Sequence, residues 1–141
     1  MAKIINKENL PLSDKKWQFE KSYYKDVYRG HEFIIARNVG LGHLCGYVEV
    51  KDKNLKKLVK KHGYDARTIY ELNVHGGVTY AGKVGRKVFI GFDCAHFNDF
   101  VPLLLVDDYE ESGAIENYRD VKFVRKECKN LIKQLKSLED K

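Results

Sequence analysis

The chain has 141 residues, of which 43% are hydrophobic and 33% charged, with only two Pro. That is long enough for one domain with a real core, and the composition excludes a disordered chain. The formal charge of +6 excludes an acidic nucleic-acid mimic and is compatible with an acidic partner. No apolar run reaches the roughly 20 residues of a membrane span, and residues 1–7 lack a signal-peptide core. A cytoplasmic protein is expected, without membrane contact. Three Cys are an odd number, which argues against a disulfide partner and for free thiols or metal ligation.

Residues 1–16 are polar and aperiodic and read as a loose arm, with one short candidate strand at residues 3–5. From Trp17 to Tyr28 aromatics recur between basic residues. Core strand is the plain interpretation of that pattern, and a stacking platform for single-stranded nucleic acid is the sharper one. Arg29-Gly30-His31 reads as a turn, residues 33–36 as a strand, residues 38–42 as a Gly-rich turn and residues 43–50 as the partner strand. Residues 52–62 read as a short helix. Asp52 is its N-cap, and Leu55, Leu58 and Val59 form its apolar stripe. Lys53, Lys56, Lys57, Lys60 and Lys61 fill the other face and are the candidate partner-binding surface. Gly63 is placed to end the helix with positive φ.

Residues 68–74, 78–81 and 87–92 read as strands, the last two joined as a hairpin through residues 82–86. Residues 102–106 form an apolar run, and residues 107–117 are acidic and turn-like. Val121, Val124, Cys128, Leu131, Leu135 and Leu138 recur at spacings of three and four, which predicts a long amphipathic helix over residues 118–138. The fold class expected is α+β: a mostly antiparallel sheet with hairpins, a Lys-rich helix and a C-terminal helix packed on the sheet.

Three segments concentrate imidazole, thiol and carboxylate groups among glycines: residues 42–47, 72–80 and 91–99. Such groups are costly to bury unpaired, and a bound cation would justify the clustering. Zinc is the expected cofactor, since it takes these donors tetrahedrally. The candidate ligands, in order, are His75, His96, Cys45, Asp93, His43 and Cys94. On a strand, His43 and Cys45 share a face, as do Cys94 and His96; a turn at Asp93 would instead bring Asp93 to His96. No C-x₂-C pair is present. A four-ligand shell would make the ion structural. An open position would allow metal-dependent hydrolysis of a phosphodiester or nucleotide, with Asp93 or Asp99 as base.

The Cys45-Gly46-Tyr47-Val48, His75-Gly76-Gly77-Val78-Thr79-Tyr80 and Gly91-Phe92-Asp93-Cys94-Ala95-His96 segments, with Asp99 and Tyr118-Arg119-Asp120, resemble a set of small phage and prophage proteins, mostly of unknown function. The resemblance spans about residues 40–138 and implies His75, Asp93 and His96 as a shared polar centre beside Cys45. It departs at Phe89-Ile90, at Asn98 and in the short hairpin at residues 82–86. Small phage proteins of this sort include anti-CRISPR proteins. By analogy the chain is expected to be a zinc-binding accessory protein in a bacterial host's cytoplasm. It would inhibit a host defence component by protein–protein interaction, a CRISPR effector nuclease whose nucleic-acid loading it blocks. The alternatives are the metal-dependent hydrolase and a nucleic-acid-binding module, direct nucleic-acid contact being the least expected.

Overall fold

A computed structural model describes residues 17, 19–65, 67–96, 99–103 and 118–139. The expected arm, the acidic segment at residues 107–117 and most of the apolar run at residues 102–106 lie outside the described residues.

Among the described residues the chain runs through β1 (Tyr23–Tyr28), β2 (His31–Arg37), β3 (Leu44–Val50), α1 (Lys53–His62), β4 (Tyr80–Val84), β5 (Lys87–Asp93) and α2 (Val121–Glu139). The five strands form one antiparallel sheet in the order β1-β2-β3-β5-β4. With two helices packed on it, this is the α+β architecture expected from the sequence.

The turns follow local chemistry. β1 and β2 are joined by Arg29 and Gly30 with φ of +49° and +82°. Two successive positive φ values define the type I′ turn whose twist suits a hairpin. His31 therefore opens β2 rather than closing the turn, which corrects the sequence reading. Val84 pairs with Lys87, so the β4–β5 connection is two residues, Gly85 (φ +64°) and Arg86, and not the five expected.

Alternation in β2, β3 and β5 puts Phe33, Ile35, Leu44, Val48, Val50, Val88, Ile90 and Phe92 on one face. Both helices cover that same face, because Leu55 and Val59 of α1 and Val124, Cys128, Leu131, Ile132 and Leu135 of α2 join the same core. Each fully buried aliphatic side chain contributes about 1.5–3 kcal/mol, so α2 is held chiefly by this stripe. Val121 and Leu138, expected in the stripe, flank it half-buried, and Ile132 is the addition. Gly46 is required where α2 crosses β3: a Cβ there would lie 2.6 Å from the Phe92 ring and 2.8 Å from Cys128 Sγ.

α1 begins at Asp52, whose side chain accepts from Leu55 N–H, and ends at Gly63 with φ +61°. Leu58 is 36% exposed, so only Leu55 and Val59 anchor this helix. Residues 68–74 are not a strand. A 3-10 turn, Arg67–Glu71, occupies their first half and buries Ile69, and Val74 meets the core further on. The β-rich composition is overridden because this segment pairs with no strand and instead bridges α1 to the His75 loop.

α2 is capped from two directions. Asp120 accepts from Phe123 N–H at 2.8 Å, and Glu20, a hundred residues away, accepts from Val121 N–H at 2.8 Å. Glu20 also accepts from the Tyr118 hydroxyl and lies 3.5 Å from Arg37 Nη2. His31 ties the far end of α2 to the sheet. It is fully buried, with Nδ1 2.7 Å from the Glu49 carbonyl and Nε2 2.8 Å from Glu139 Oε1.

Candidate metal and ligand site

The polar residues singled out from the sequence gather where β3 begins and β5 ends. Cys45 and Asp93 are cross-strand neighbours. The chain then turns at Asp93 rather than extending to His96. Asp93 and His96 consequently meet, with Nε2 3.3 Å from Oδ1, and Cys94 points into the core. The shared face expected for Cys94 and His96 is therefore not formed. Asp93 also accepts from Thr79 Oγ1 at 3.0 Å and from Ala95 N–H at 3.1 Å.

His75 reaches the same region from the loop before β4. Its Nε2 lies 2.9 and 3.0 Å from the two oxygens of Asp99. Its ring makes edge contacts with His96 (centroids 5.7 Å apart) and Phe123 (5.1 Å). Its backbone N–H donates to Glu127 Oε1 of α2 at 2.9 Å, which fixes the loop. The glycines after it serve close approach, as their spacing suggested, but the group approached is His96. Gly76 has φ +69°, and a Cβ on it would lie 2.0 Å from His96 Nε2.

Asp99 is the hub. It is 3% exposed and accepts from Arg119 Nε at 2.8 Å and from His96 N–H at 3.0 Å as well as facing His75. Burial pushes its carboxyl up, but the Arg119, His75 and His96 hydrogen bonds outweigh burial and hold it below the usual carboxylate range. A carboxylate so fully engaged positions its neighbours and is poorly suited to be the general base considered for it. Arg119 and this use of Asp99 carried no local signal in the sequence. An arginine two residues before a helix is commonplace, and only the resemblance drew attention to Tyr118-Arg119-Asp120.

His43 precedes β3 and is 5% exposed. Its Nδ1 is buried and makes no hydrogen bond among the described residues; neither does His96 Nε2. Burial lowers the His43 pKa more than Asp93 and Asp99 raise it, so the neutral ring is favoured. His43, Cys45, Tyr47, Thr79, Tyr80 and Asp93 line an open cavity of about 310 Å³. Burial and the nearby Asp93 push the Cys45 thiol up to about 11, and burial pushes the Tyr47 phenol up to about 12. Burial, first of all, also raises Cys94. These groups are protonated at neutral pH in the metal-free protein, so none is an activated nucleophile.

Of the donors expected for zinc, His43 with its unsatisfied Nδ1, the Cys45 thiol and the Asp93 carboxylate line this cavity, and His75 and His96 do not. His75, the first candidate from the sequence, is instead tied through Nε2 to the buried Asp99 behind the cavity. Convergence is incomplete. Among the described residues no three His, Cys, Asp or Glu side chains are placed to hold one ion. The three cysteines are free thiols.

Lys53, Lys57, Lys60 and Lys61 are exposed on α1, and Lys56 is half-buried. No helix among the described residues is long and apolar enough to cross a membrane. Comparison with protein-family models, curated proteins and solved structures gave no match.

Proposed function

We propose that this chain is a zinc-binding protein that acts by binding a partner and not by turnover. The ion is taken up at the cavity where β3 begins and β5 ends. The observation that carries this reading is the buried, unpartnered Nδ1 of His43 beside Cys45 and Asp93 on the same cavity wall. A buried imidazole nitrogen without a partner costs roughly 1–3 kcal/mol, and coordination removes that cost. His43, Cys45 and Asp93 are the ligands proposed, with His96 as the fourth, and uptake of the ion would draw their side chains together. His75 and Asp99 orient the loop behind them. Zinc bound there would lower the Cys45 pKa and release its proton.

Three features support a binding role over hydrolysis: the protonated Tyr47, the engaged Asp99, and thiolate ligation by Cys45, which favours a closed shell. The resemblance to phage accessory proteins leads us to propose a host defence protein, such as a CRISPR effector nuclease, as the partner.

The test is elemental analysis and zinc titration of the chelated, reloaded protein, alongside His43→Ala, Cys45→Ser and Asp93→Asn. One tightly held zinc per chain, lost in each variant, is expected. No zinc retained by the natural chain, or full retention by all three variants, overturns the reading.

A further inference from the structure

Charge is distributed unevenly between the two layers. α1 carries five lysines and no acid. α2 carries Lys122, Arg125, Lys126, Lys129, Lys133 and Lys136 against Glu127 and Glu139, a net of four positive charges. These nine exceed the chain's +6 by three, so everything outside the two helices is net acidic by three. Both helices cover the same sheet face. Outside the helices the described residues carry ten basic and ten acidic side chains, so the helical layer holds the whole positive excess of the described residues.

Within that layer α2 is the better-formed surface. Lys122, Lys126, Lys129 and Lys133 follow one another at intervals of four, three and four, which aligns them on one helix face. At 1.5 Å per residue the row is about 16 Å long. Among the described residues none of the four makes an ion pair, whereas Arg125 beside them is paired with Asp26 at 3.3 Å. The row borders a groove of about 520 Å³ that also includes Tyr28. The Tyr28 ring has Lys129 Nζ 5.2 Å and Arg29 Cζ 5.3 Å from its centroid. Four like charges held this close repel one another, and an extended polyanion relieves the repulsion along its length.

We propose that the Lys122–Lys126–Lys129–Lys133 face of α2, with Tyr28 at its edge, binds the phosphate backbone of a nucleic acid without sequence preference. A row about 16 Å long suits a repeating charge better than a single anion, and an aromatic ring among cations is the usual companion of a strand's bases. The proposal is independent of the zinc site proposed above, which lies where β3 begins and β5 ends.

The test is fluorescence anisotropy with a labelled 20-nucleotide single strand and its duplex over a range of salt. Four phosphate contacts give a log–log salt slope of about −2.8 on the single strand and about −3.6 on the duplex. Lys126→Gln/Lys129→Gln/Lys133→Gln should weaken binding more than tenfold and flatten the slope by about two to three units. The equally charged Lys53→Gln/Lys57→Gln/Lys60→Gln variant should retain most of both. The single Lys129→Gln variant should lose about one unit of slope, which keeps the test open if the triple folds poorly. The proposal is overturned by a flat salt dependence, by equal losses in the two triple variants, or by polyglutamate competing as well as unlabelled nucleic acid.

Discussion

The contact between Gly76 and His96 can be tested by comparing two neighbouring alanines. Gly76 and Gly77 both have positive φ, +69° and +82°. A left-handed alanine costs about 1–2 kcal/mol, partly offset by about 0.4–1 kcal/mol from the stiffer unfolded chain. Gly77→Ala should show that net cost alone, about 1 kcal/mol, because nothing lies within 4 Å of its added Cβ. Gly76→Ala adds a methyl 2.0 Å from His96 Nε2 and 2.2 Å from Cδ2. The ring must retreat and loosen its 3.3 Å contact with Asp93, a further cost of about 1–3 kcal/mol for overpacking. An unfolding entropy near 2.1 cal/mol/K per residue makes each kcal/mol worth about 3 °C in a chain of this length. Calorimetry should therefore give a drop in Tm of about 3 °C for Gly77→Ala and about 6–12 °C for Gly76→Ala. In a His96→Ala background the Gly76→Ala shift should shrink to that of Gly77→Ala, since the clash has gone. Equal shifts for the two alanines in the natural background would refute the placement of the ring.

Three further outcomes are expected. In chelated protein, stability should fall on acidification in two steps. The lowered pKa of His43 means the unfolded chain gains a proton first, so stability is lost as pH falls below about 6.5; the depressed Asp99 adds a loss as pH falls below about 3.9, and His43→Gln should remove only the first step in denaturant titrations. Asp99→Asn should cost about 3 kcal/mol by urea unfolding, because it breaks a buried charge pair with Arg119 and weakens the hold on His75; an unchanged midpoint would contradict the hub role. Alkylation of native, metal-free protein at pH 8 should modify Cys45 roughly 100-fold more slowly than a free thiol and leave Cys94 and Cys128 intact, read by mass spectrometry.

The elements that read clearly from the sequence were those whose pattern is local. The α2 stripe, the Asp52 cap, the Gly63 stop and the β2–β3 and β4–β5 hairpins each depend on residues within a few positions of one another. Residues 68–74 misled because alternation indicates strand only where a partner strand is present, and no strand pairs with them. The clustering of His43, Cys45, His75, Asp93 and His96 was visible as composition, since unpaired polar groups in apolar runs are expensive. Their geometry depended on whether the chain turns at Asp93, which spacing left open. Arg119, Glu20 and the His31–Glu139 contact were invisible, because each joins residues that far-apart segments bring together. His31 in particular looked like a turn residue because Gly30 precedes it.

The strand order has a consequence for how the protein assembles. β1, β2 and β3 follow one another as a meander, but β3's other neighbour is β5, reached only after α1 and the His75 loop. Loop closure makes that late pairing entropically slower than the two local hairpins. The cavity takes His43 and Cys45 from the early half and Asp93 from the late half, and Arg119, which steadies the loop behind it, arrives with α2. No partly assembled chain has the complete constellation. The ligand proposed for this site would therefore bind only after the last strand has docked, and would act as a latch on the slowest step.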